Sequence, residues 1–393
     1  MNFYDESLKM HKENNGKMEI ISRVPIYNKA DLSIAYTPGV AQPCLEIRDN
    51  PDAAYIYTPK GRMVAVVSDG SAVLGLGNIG GLASIPVMEG KAILFKTFGN
   101  IDAVPICLKT QDTDEIVNIV KNISPVFGGI NLEDISAPRC FEIEKRLREE
   151  LDIPVFHDDQ HGTAIVVSAA IINSFKLLRR PLRNIKVAIN GAGAAGTAIL
   201  KMLLSIGVRD IVICDSRGLI SANRLSELSM EKIELLELTN KSDIRGGLAE
   251  AVRGRDLFIG VSGPRLLTGD MVAEMNENPV IFAMSNPEPE IMPDIAKDAG
   301  AAIVGTGRSD YPNQINNVLV FPGVFKGALR ARARAITEKM KVAAAYALAA
   351  CIDDKDIDEN YIIPGALEPG IAEAVAKAVA AAWFDEYGGE AEV

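Results

Sequence analysis

Two pairs of adjacent carboxylates are the residues of this chain best suited to chemistry. Glu133-Asp134 follows the segment 127–131, which we interpret as a loop, and Asp158-Asp159 lies within the run 156–163. Adjacent side chains of a regular strand point to opposite faces, so a pair can bind one ion only where the backbone is irregular. Carboxylate oxygens favour a hard cation such as Mg2+ or Mn2+ over zinc. Each pair taken alone is also typical of a solvated surface.

Two histidines flank the second carboxylate pair. His157 and His161 have the i, i+4 spacing that could place two metal ligands on one face of a helix. The sequence lacks the Glu-x-x-His context that would strengthen this interpretation. We therefore predict a structural or supporting role for both histidines and assign neither as a ligand.

A glycine-rich turn predicts a dinucleotide site. The strand-like run 185–190 leads into the G-x-G-x-x-G motif Gly191-Ala192-Gly193-Ala194-Ala195-Gly196. In such a motif the glycines allow a tight turn, close approach of the pyrophosphate and packing of the next helix, whose N-terminal N–H groups face the anion. Asp215 ends the next strand-like run and could accept a hydrogen bond from a ribose 2′-hydroxyl, which favours NAD. Arg217 could pair with a 2′-phosphate, so NADP also stays open.

A second stretch, residues 75–81, matches the same glycine spacing. No acid at the end of a following strand completes it. We interpret it as a loop whose backbone approaches the active site, with an ordinary turn as the alternative.

Short apolar runs separated by helical patterns indicate an α/β protein. We predict an N-terminal α/β catalytic domain of residues 1–161, and a doubly wound, parallel-sheet Rossmann domain of residues 162–393 with closing helices after about residue 325. A helix is expected to open the second domain over residues 163–178. The predicted strands are 63–67, 92–95, 104–107, 185–190, 211–214, 257–261, 280–284 and 302–304.

Composition excludes several classes of partner. The formal charge is −11 and no basic stripe interrupts it, which disfavours binding to nucleic acid or to an anionic membrane surface. The N-terminus has no apolar signal core, and no segment approaches the roughly 18 apolar residues of a membrane span. Five cysteines, far apart and without a C-x-x-C pair, are typical of a reducing compartment. We expect a cytoplasmic protein.

Several motifs, taken in order along the chain, resemble the signatures of the malic enzyme family. The resemblance spans nearly the whole chain, and the length is similar to that of the short prokaryotic form. The motifs are Tyr36-Thr37-Pro38-Gly39-Val40, Ser68-Asp69-Gly70, Gly75-Leu76-Gly77-Asn78, Glu89-Gly90-Lys91, Glu133-Asp134, 158–163, Ser285-Asn286-Pro287, Asn316-Asn317 and Phe321-Pro322-Gly323.

The resemblance implies oxidative decarboxylation of malate to pyruvate and CO2 with reduction of NAD or NADP, dependence on Mg2+ or Mn2+, and a homodimer or higher homo-oligomer. Decarboxylation of oxaloacetate is also implied. One departure concerns the substrate carboxylate: larger members carry an arginine just before the Gly-Leu-Gly run, where this chain has residues 71–74. By resemblance, Tyr36 is the general acid, Lys91 the general base beside Asp158, and Glu133, Asp134 and Asp159 the metal ligands, with Lys91, Asn286 and Asn317 holding the substrate.

General chemistry is consistent with these roles. A base that removes the C2 hydroxyl proton should titrate near neutral pH, so we expect burial or a nearby cation to lower the pKa of Lys91. Loss of CO2 then requires stabilised negative charge on the C2 oxygen, and the resulting enolate requires a proton at C3, which a tyrosine can supply. Taken singly, Lys91 and Tyr36 are more typical of a surface lysine and a turn aromatic.

Three other functions remain open on the sequence. A malolactic-type lyase would retain its cofactor and release lactate without net redox change. Another Rossmann dehydrogenase with a separate catalytic domain, acting on an amino acid or a folate, would need no metal. A non-catalytic regulator would bind the dinucleotide and turn over nothing.

Overall fold

The computed structural model describes residues 2–73 and 75–389; Leu74, within the segment 71–74, lies outside the described residues. The strands are β1 (Met63–Ser68), β2 (Asp102–Cys107), β3 (Gly129–Leu132), β4 (Val155–His157), β5 (Lys186–Asn190), β6 (Asp210–Asp215), β7 (Gly218–Leu219), β8 (Leu257–Gly260), β9 (Val280–Ala283) and β10 (Ile303–Thr306). The helices are α1 (Phe3–Asn14), α2 (Lys29–Ala35), α3 (Ala41–Asp49), α4 (Ala54–Tyr57), α5 (Gly80–Leu94), α6 (Thr113–Ile123), α7 (Arg139–Glu150), α8 (Asp158–Leu177), α9 (Ala194–Ser205), α10 (Met230–Leu238), α11 (Leu248–Val252), α12 (Gly269–Ala273), α13 (Pro293–Asp298), α14 (Phe321–Arg330), α15 (Glu338–Ala349) and α16 (Ile371–Tyr387).

Two parallel sheets carry the fold. The first has the strand order β2-β1-β3-β4, and all its pairs are parallel. The second has the order β10-β9-β8-β5-β6-β7, in which only the short edge strand β7 runs antiparallel. Their central strands β1, β5 and β8 are almost wholly buried, as expected when helices cover both faces of a parallel sheet. The predicted α/β class is confirmed.

Two local predictions are wrong. Residues 92–95 form the end of α5 and the start of a π-turn rather than a strand, because a short apolar run that is buried on all sides looks the same in either conformation. The segment 127–131 is not a loop throughout, since β3 begins at Gly129. Gly128 and Gly129 weaken the strand pattern of this segment. The strand β3 nevertheless lies in the middle of the first sheet and is completely buried.

The long helix α8 connects the two sheets. It begins at Asp158, five residues before the predicted start, and 14 of its residues are buried. The predicted boundary between residues 161 and 162 falls inside this helix, and the division into two domains remains a prediction. Because α8 packs against α9 and α15 while its first turn follows β4, it links the acidic motif rigidly to both halves of the chain.

Aromatic side chains from α14 support this junction. Phe321 packs on Phe95 with ring centroids 4.6 Å apart, and Phe325 lies 5.8 Å from Phe156 of β4. All four rings are buried. The C-terminal helices thus close the core directly beneath the residues that carry the chemical motifs.

The N-terminal segment is packed differently from the rest of the described chain. Helices α1, α2 and α3 contain no buried residue. Large apolar side chains stand in solvent there, among them Ile20, Tyr27 and Ile34. An apolar surface of this kind is typical of a segment that packs against a partner.

None of the helices in the described part of the chain is both long enough and apolar enough to cross a membrane.

Candidate active site

Three carboxylates converge at the carboxyl ends of two neighbouring strands. Glu133 and Asp134 follow β3, and Asp159 lies in the first turn of α8, directly after β4. One oxygen from each carboxylate lies within 4.8 Å of the other two. Parallel strands bring their carboxyl ends to the same edge of the sheet, where open α/β folds bind their ligands.

The backbone between Glu133 and Asp134 is irregular, as we expected for two adjacent carboxylates that bind one ion. Asp134 adopts a left-handed conformation with φ 54°, so that both carboxylates turn toward the same space. The Asp134 carbonyl accepts a hydrogen bond from Ala72, and its N–H donates to Asp159 Oδ2 at 2.9 Å. Arg139 braces the same loops by donating to Asp69 and Ser136.

Lys91 enters the cluster from α5. Its Nζ lies 2.5 Å from Asp158 Oδ2 and 2.8 Å from Glu133 Oε1, and it stands 4.1 Å from the ring centroid of Phe321. Asn317 donates to the same Asp158 oxygen at 2.5 Å. Lysine, aspartate and asparagine from distant parts of the chain therefore form one hydrogen-bonded unit.

Gly162 makes room for this unit. Asp158 is the first residue of α8 and its carboxylate lies against the helix backbone four residues later. A Cβ at Gly162 would overlap Asp158 Oδ1 and would also lie 3.2 Å from Asn317. The glycine that follows the acidic pair in the sequence is thus required by the position of Asp158 itself.

The cluster is electrostatically crowded. Burial, followed by the charge of Asp159, raises the pKa of Asp134 to about 7. Burial also raises the pKa of Glu133 well above its usual range, although Lys91 opposes this shift. Such carboxylates can all be ionised together only with additional positive charge nearby.

The residues of the cluster fit a divalent cation. Three carboxylates provide the hard oxygen ligands that Mg2+ and Mn2+ prefer. Asp134 Oδ2 is buried and has no hydrogen-bond partner within the described residues, which leaves it available for a metal ion. Glu133, Asp134 and Asp159 would hold the ion.

The pKa of Lys91 differs from the expected lowered value. Burial lowers it, but the adjacent Asp158 and Glu133 carboxylates outweigh burial and raise it. The prediction considered burial and nearby cations and omitted the two acids that contact the amine. Lys91 is consequently a protonated ammonium in this arrangement.

A cleft of about 570 Å3 joins the acids to the glycine-rich turn. Asp134 and Asp159 line one side, Ala194 and Ala195 of the turn line another, and the remaining wall contains Asn286, Asn317, Gly75 and the loop 261–264. A substrate held by the acids would therefore lie beside the N-terminus of α9. The second glycine-rich stretch also reaches the site, as expected, through Gly75.

The turn has the shape that a dinucleotide needs. Gly191 has φ 122°, and a Cβ at Gly196 would overlap the Gly191 carbonyl. Gly193 has open space where its Cβ would lie, and α9 begins at the next residue. Open space above free helix N–H groups fits a pyrophosphate.

Asp215 lies at the end of β6, as predicted, but its carboxylate is already engaged. Arg224 Nη1 and Nη2 lie 3.0 and 3.1 Å from its two oxygens, Lys232 donates at 2.7 Å and the Arg217 N–H donates at 2.9 Å. Burial opposes ionisation, yet these hydrogen bonds lower the pKa of Asp215 to about 2. Sequence analysis identified the acid and missed its two cationic partners.

Two family models match the chain. The malic enzyme N-terminal domain matches residues 15–148, and the malic enzyme NAD binding domain matches residues 160–384. The chain belongs to the malic enzyme family.

Relatives and solved structures of this family align along nearly the whole chain. The bifunctional malic/malolactic enzyme of Bacillus subtilis is 54% identical, covering 97% of this chain and 93% of the relative. The NAD-dependent malic enzyme of Geobacillus stearothermophilus is 53% identical over 98% and 80%. The crystal structure of malic enzyme from Pyrococcus horikoshii has a TM-score of 0.95 and 48% identity, covering 99% of this chain and 92% of that one.

Lys91 and Asp158 belong to the acid cluster although neither lines the cleft, whereas Tyr36 lies apart from both the cluster and the cleft within the described residues. Its side chain is 67% exposed, and it lines neither the cleft nor the groove beside Lys91. It follows α2 in the segment that contains no buried residue in α1, α2 or α3. The other predicted catalytic and metal-binding residues lie together.

Two buried glutamates support the site and were missed. Glu290 accepts hydrogen bonds from the N–H groups of Ser262 and Ser285, which ties together two loops that line the cleft. Glu144 accepts from Gln160 and His161 of α8. Neither has a motif, because their partners are backbone groups and side chains far away in the sequence.

Neither histidine belongs to the group of three candidate metal ligands, and the supporting role expected of them stays a prediction. His157 Nε2 lies 3.3 Å from Asp159 Oδ2, and His161 contacts Glu144 rather than the acidic cluster. A histidine that orients a ligating carboxylate is a common outer partner of a metal site.

Gly162→Ala should displace the Asp158 carboxylate from Lys91 and Asn317. We expect turnover to fall about 100-fold or more, the range lost when a proton-transfer group is misplaced, with little change in cofactor affinity. Gly269→Ala is the matched control, since its Cβ would have no contact closer than 3.6 Å at the start of α12. Steady-state kinetics and thermal melting of both variants provide the check, and wild-type turnover by Gly162→Ala would contradict the placement of Asp158.

Proposed function

We propose that this chain oxidatively decarboxylates malate to pyruvate and CO2 with reduction of a nicotinamide cofactor, and that it requires Mg2+ or Mn2+. The observation that carries the proposal is the single cleft in which the acid cluster and the glycine-rich turn meet. The B. subtilis relative is named a bifunctional malic/malolactic enzyme and the G. stearothermophilus relative an NAD-dependent malic enzyme, which supports the proposal.

The proton steps follow from the contacts of Lys91. Its amine and the Asp158 carboxylate are 2.5 Å apart, so a proton can move between them without rearrangement. We propose that Lys91, after passing its own proton to Asp158, accepts the C2 hydroxyl proton of malate. Asn317 holds Asp158 in place, and with Asn286 it presents amide groups to the substrate carboxylates.

When bound, a nicotinamide cofactor held at the turn 191–196 would supply the hydride acceptor for C2, and a divalent ion held by Glu133, Asp134 and Asp159 would supply a Lewis acid. The burial of Glu133 and Asp134 keeps water from competing for this region. Tyr36 is proposed as the acid that protonates the enolate at C3.

The direct test is an assay of malate with NAD or NADP, in Mg2+ or Mn2+ and with a chelator. We expect reduced nicotinamide and pyruvate to accumulate together and the chelator to abolish both. Lys91→Ala should reduce the rate about 100-fold or more. Lys96→Ala is the control, because Lys96 lies one turn further along and pairs with Asp102 on the surface.

A malolactic reaction is the second candidate, favoured by the name of the B. subtilis relative. Its signature is lactate formed without accumulation of reduced cofactor. If lactate were the main product, the oxidative proposal would be wrong. Turnover of malate unaffected by the chelator would exclude the metal role.

We infer that NADP as well as NAD can bind. The four contacts to Asp215 use the acceptor positions that a ribose 2′-hydroxyl would need. The cations Arg224 and Lys232 offset the acid, and Arg217 stands nearby with 69% of its side chain exposed. A 2′-phosphate would meet a net positive charge here. The ribose 2′-hydroxyl of NAD could donate to Asp215 only if Lys232 gave up its hydrogen bond to one carboxylate oxygen.

Lys232→Ala should separate the two cofactors. Loss of a charge-assisted hydrogen bond predicts about a tenfold drop in kcat/KM for NADP, and the freed Asp215 oxygen should leave NAD unchanged or improved. Lys241→Ala, on the exposed loop after α10, is the matched control. Equal losses for both cofactors in Lys232→Ala would show that this cluster does not read the 2′ position.

We propose a homodimer in which the N-terminal segment packs on a second copy of the chain. Its exposed apolar residues, including Ile20 and Ile34, favour burial. The site of one chain lacks the predicted acid, and Tyr36 lies within this same segment. A dimer that covers the segment would bring Tyr36 of one copy to the cleft of the other.

A mixing experiment tests this arrangement. Tyr36→Phe and Lys91→Ala should each be inactive alone. In a mixed dimer one of the two sites then combines Lys91 of one copy with Tyr36 of the other, so random exchange should restore about a quarter of wild-type activity. No recovery, with exchange verified by sedimentation of tagged subunits, would show that Tyr36 does not act across the interface.

We also propose a cytoplasmic location. All five cysteines are free, as expected for a reducing compartment.

A further inference from the structure

A second cavity, of about 520 Å3, lies on the other side of α8 from the active-site cleft. Helices α7, α8, α9 and α15 enclose it. It shares no lining residue with the cleft. The mechanism proposed above uses none of its side chains.

The cavity contains more cations than carboxylates in an acidic protein. Its lining holds Lys145, Arg148, Lys201 and Lys341 against Glu144, Glu149 and Glu338, a formal excess of one positive charge. Within the described residues, Lys145, Arg148 and Lys201 have no carboxylate oxygen within 4.0 Å, whereas Lys341 pairs with Glu338. Three unpaired cations at one opening are unusual on a chain of net charge −11.

The floor of the cavity is built from buried polar groups. Lys341 is only 3% exposed, and its Nζ contacts Glu338 at 2.7 Å and His161 Nδ1 at 3.0 Å. Burial lowers the pKa of Lys341 although Glu338 and Glu144 oppose this shift, and the charge of Arg148 adds a smaller lowering effect. An additional anion in the cavity would favour the charged forms of Lys341 and Arg148.

The floor is continuous with the metal-binding turn. His161 Nε2 lies 2.8 Å from Glu144, and the other Glu144 oxygen accepts from Gln160 at 3.1 Å. Gln160 reaches His157 Nδ1 at 2.8 Å, and the opposite ring nitrogen of His157 lies 3.3 Å from Asp159. Hydrogen bonds thus lead from Lys341 to His157, whose Nε2 lies close to the predicted metal ligand Asp159 but has no hydrogen-bond partner within the described residues.

We propose that this cavity binds a small-molecule anion with two or more negative charges, and that the bound anion changes the affinity of the enzyme for its divalent ion. Carboxylate and phosphate groups are the shared chemistry, since Arg148 offers a fork of donors and the lysines offer point charges. The volume admits a tricarboxylate or a small organic phosphate. The anion would contact Lys341. Its effect would reach the first turn of α8 through the contacts of His161 and Glu144.

Binding is measured first, by calorimetry on the metal-free protein, with inorganic phosphate and with propane-1,2,3-tricarboxylate as separate probes. We expect Arg148→Ala and Lys201→Ala each to weaken binding about tenfold. Arg146→Ala is the matched control, because Arg146 lies on the same helix but pairs with Asp114 outside the cavity. Preference for one probe identifies which chemical source fits. Binding that is absent, or equal in all variants, overturns the site.

Coupling is measured second, as the dissociation constant for Mg2+ determined by calorimetry with and without saturating probe. A shift of at least about threefold in wild type, lost in Arg148→Ala and retained in Arg146→Ala, is expected from reciprocal linkage. An unchanged dissociation constant for Mg2+ in the presence of demonstrated anion binding overturns the coupling. The calorimetric result is independent of the reaction catalysed, so failure of the proposed function and failure of this site are distinguishable.

Discussion

The structure depends on one ion-pair arrangement, the contact of Lys91 with two of the four carboxylates gathered around it. Glu133, Asp134, Asp158 and Asp159 come from two strand ends, and Lys91 comes from a helix that packs on the same sheet. Two like charges 4 Å apart repel by about 4 kcal/mol at the effective dielectric typical of protein sites. Lys91 and the hydrogen bonds to Asp158 and Asp159 offset part of that repulsion, and a divalent ion held by the acids would offset more.

The surrounding fold is arranged to hold this charge in place. The left-handed Asp134 turns two adjacent acids toward one point, and Gly162 leaves the space that Asp158 occupies. Phe321 of α14 closes the site beneath Lys91. Since an aromatic face attracts a cation and excludes water, the C-terminal helices contribute to the electrostatics of a site assembled by the N-terminal half.

The sequence predicted those parts of the site that lie where strands end. The acids after β3 and β4, the glycine turn after β5 and Asp215 after β6 all occupy the expected edge. The predictions were wrong where the local sequence pattern does not distinguish one secondary structure from another. Residues 92–95 are all apolar, and the two glycines around the start of β3 weaken its strand pattern. The cationic partners of Asp215 follow it by 9 and 17 residues, and Glu290 joins Ser285 to Ser262. These contacts depend on how the loops fold, which no motif spacing reveals.

Tyr36 is a different case. Its motif was recognisable, but its role stays a prediction, because the described chain does not place it beside the acid cluster. The segment that carries Tyr36 has little core of its own and exposes large apolar side chains. A residue on such a segment is positioned by whatever covers the segment, so neither sequence pattern nor the fold of one chain determines its final place.

The first turn of α8 carries two sets of residues with different surroundings. Asp158 and Asp159 face the lysine and the cleft, while Gln160 and His161 face Glu144 and the basic cavity. Four consecutive residues of a helix point around its whole circumference, so a shift of this turn that moves one set also moves the other. Glu144, whose pKa is lowered to about 2 by His161 despite its burial, remains ionised and holds the second set in register. The position of the catalytic acids is therefore determined jointly by the cleft and by the opposite face of the helix.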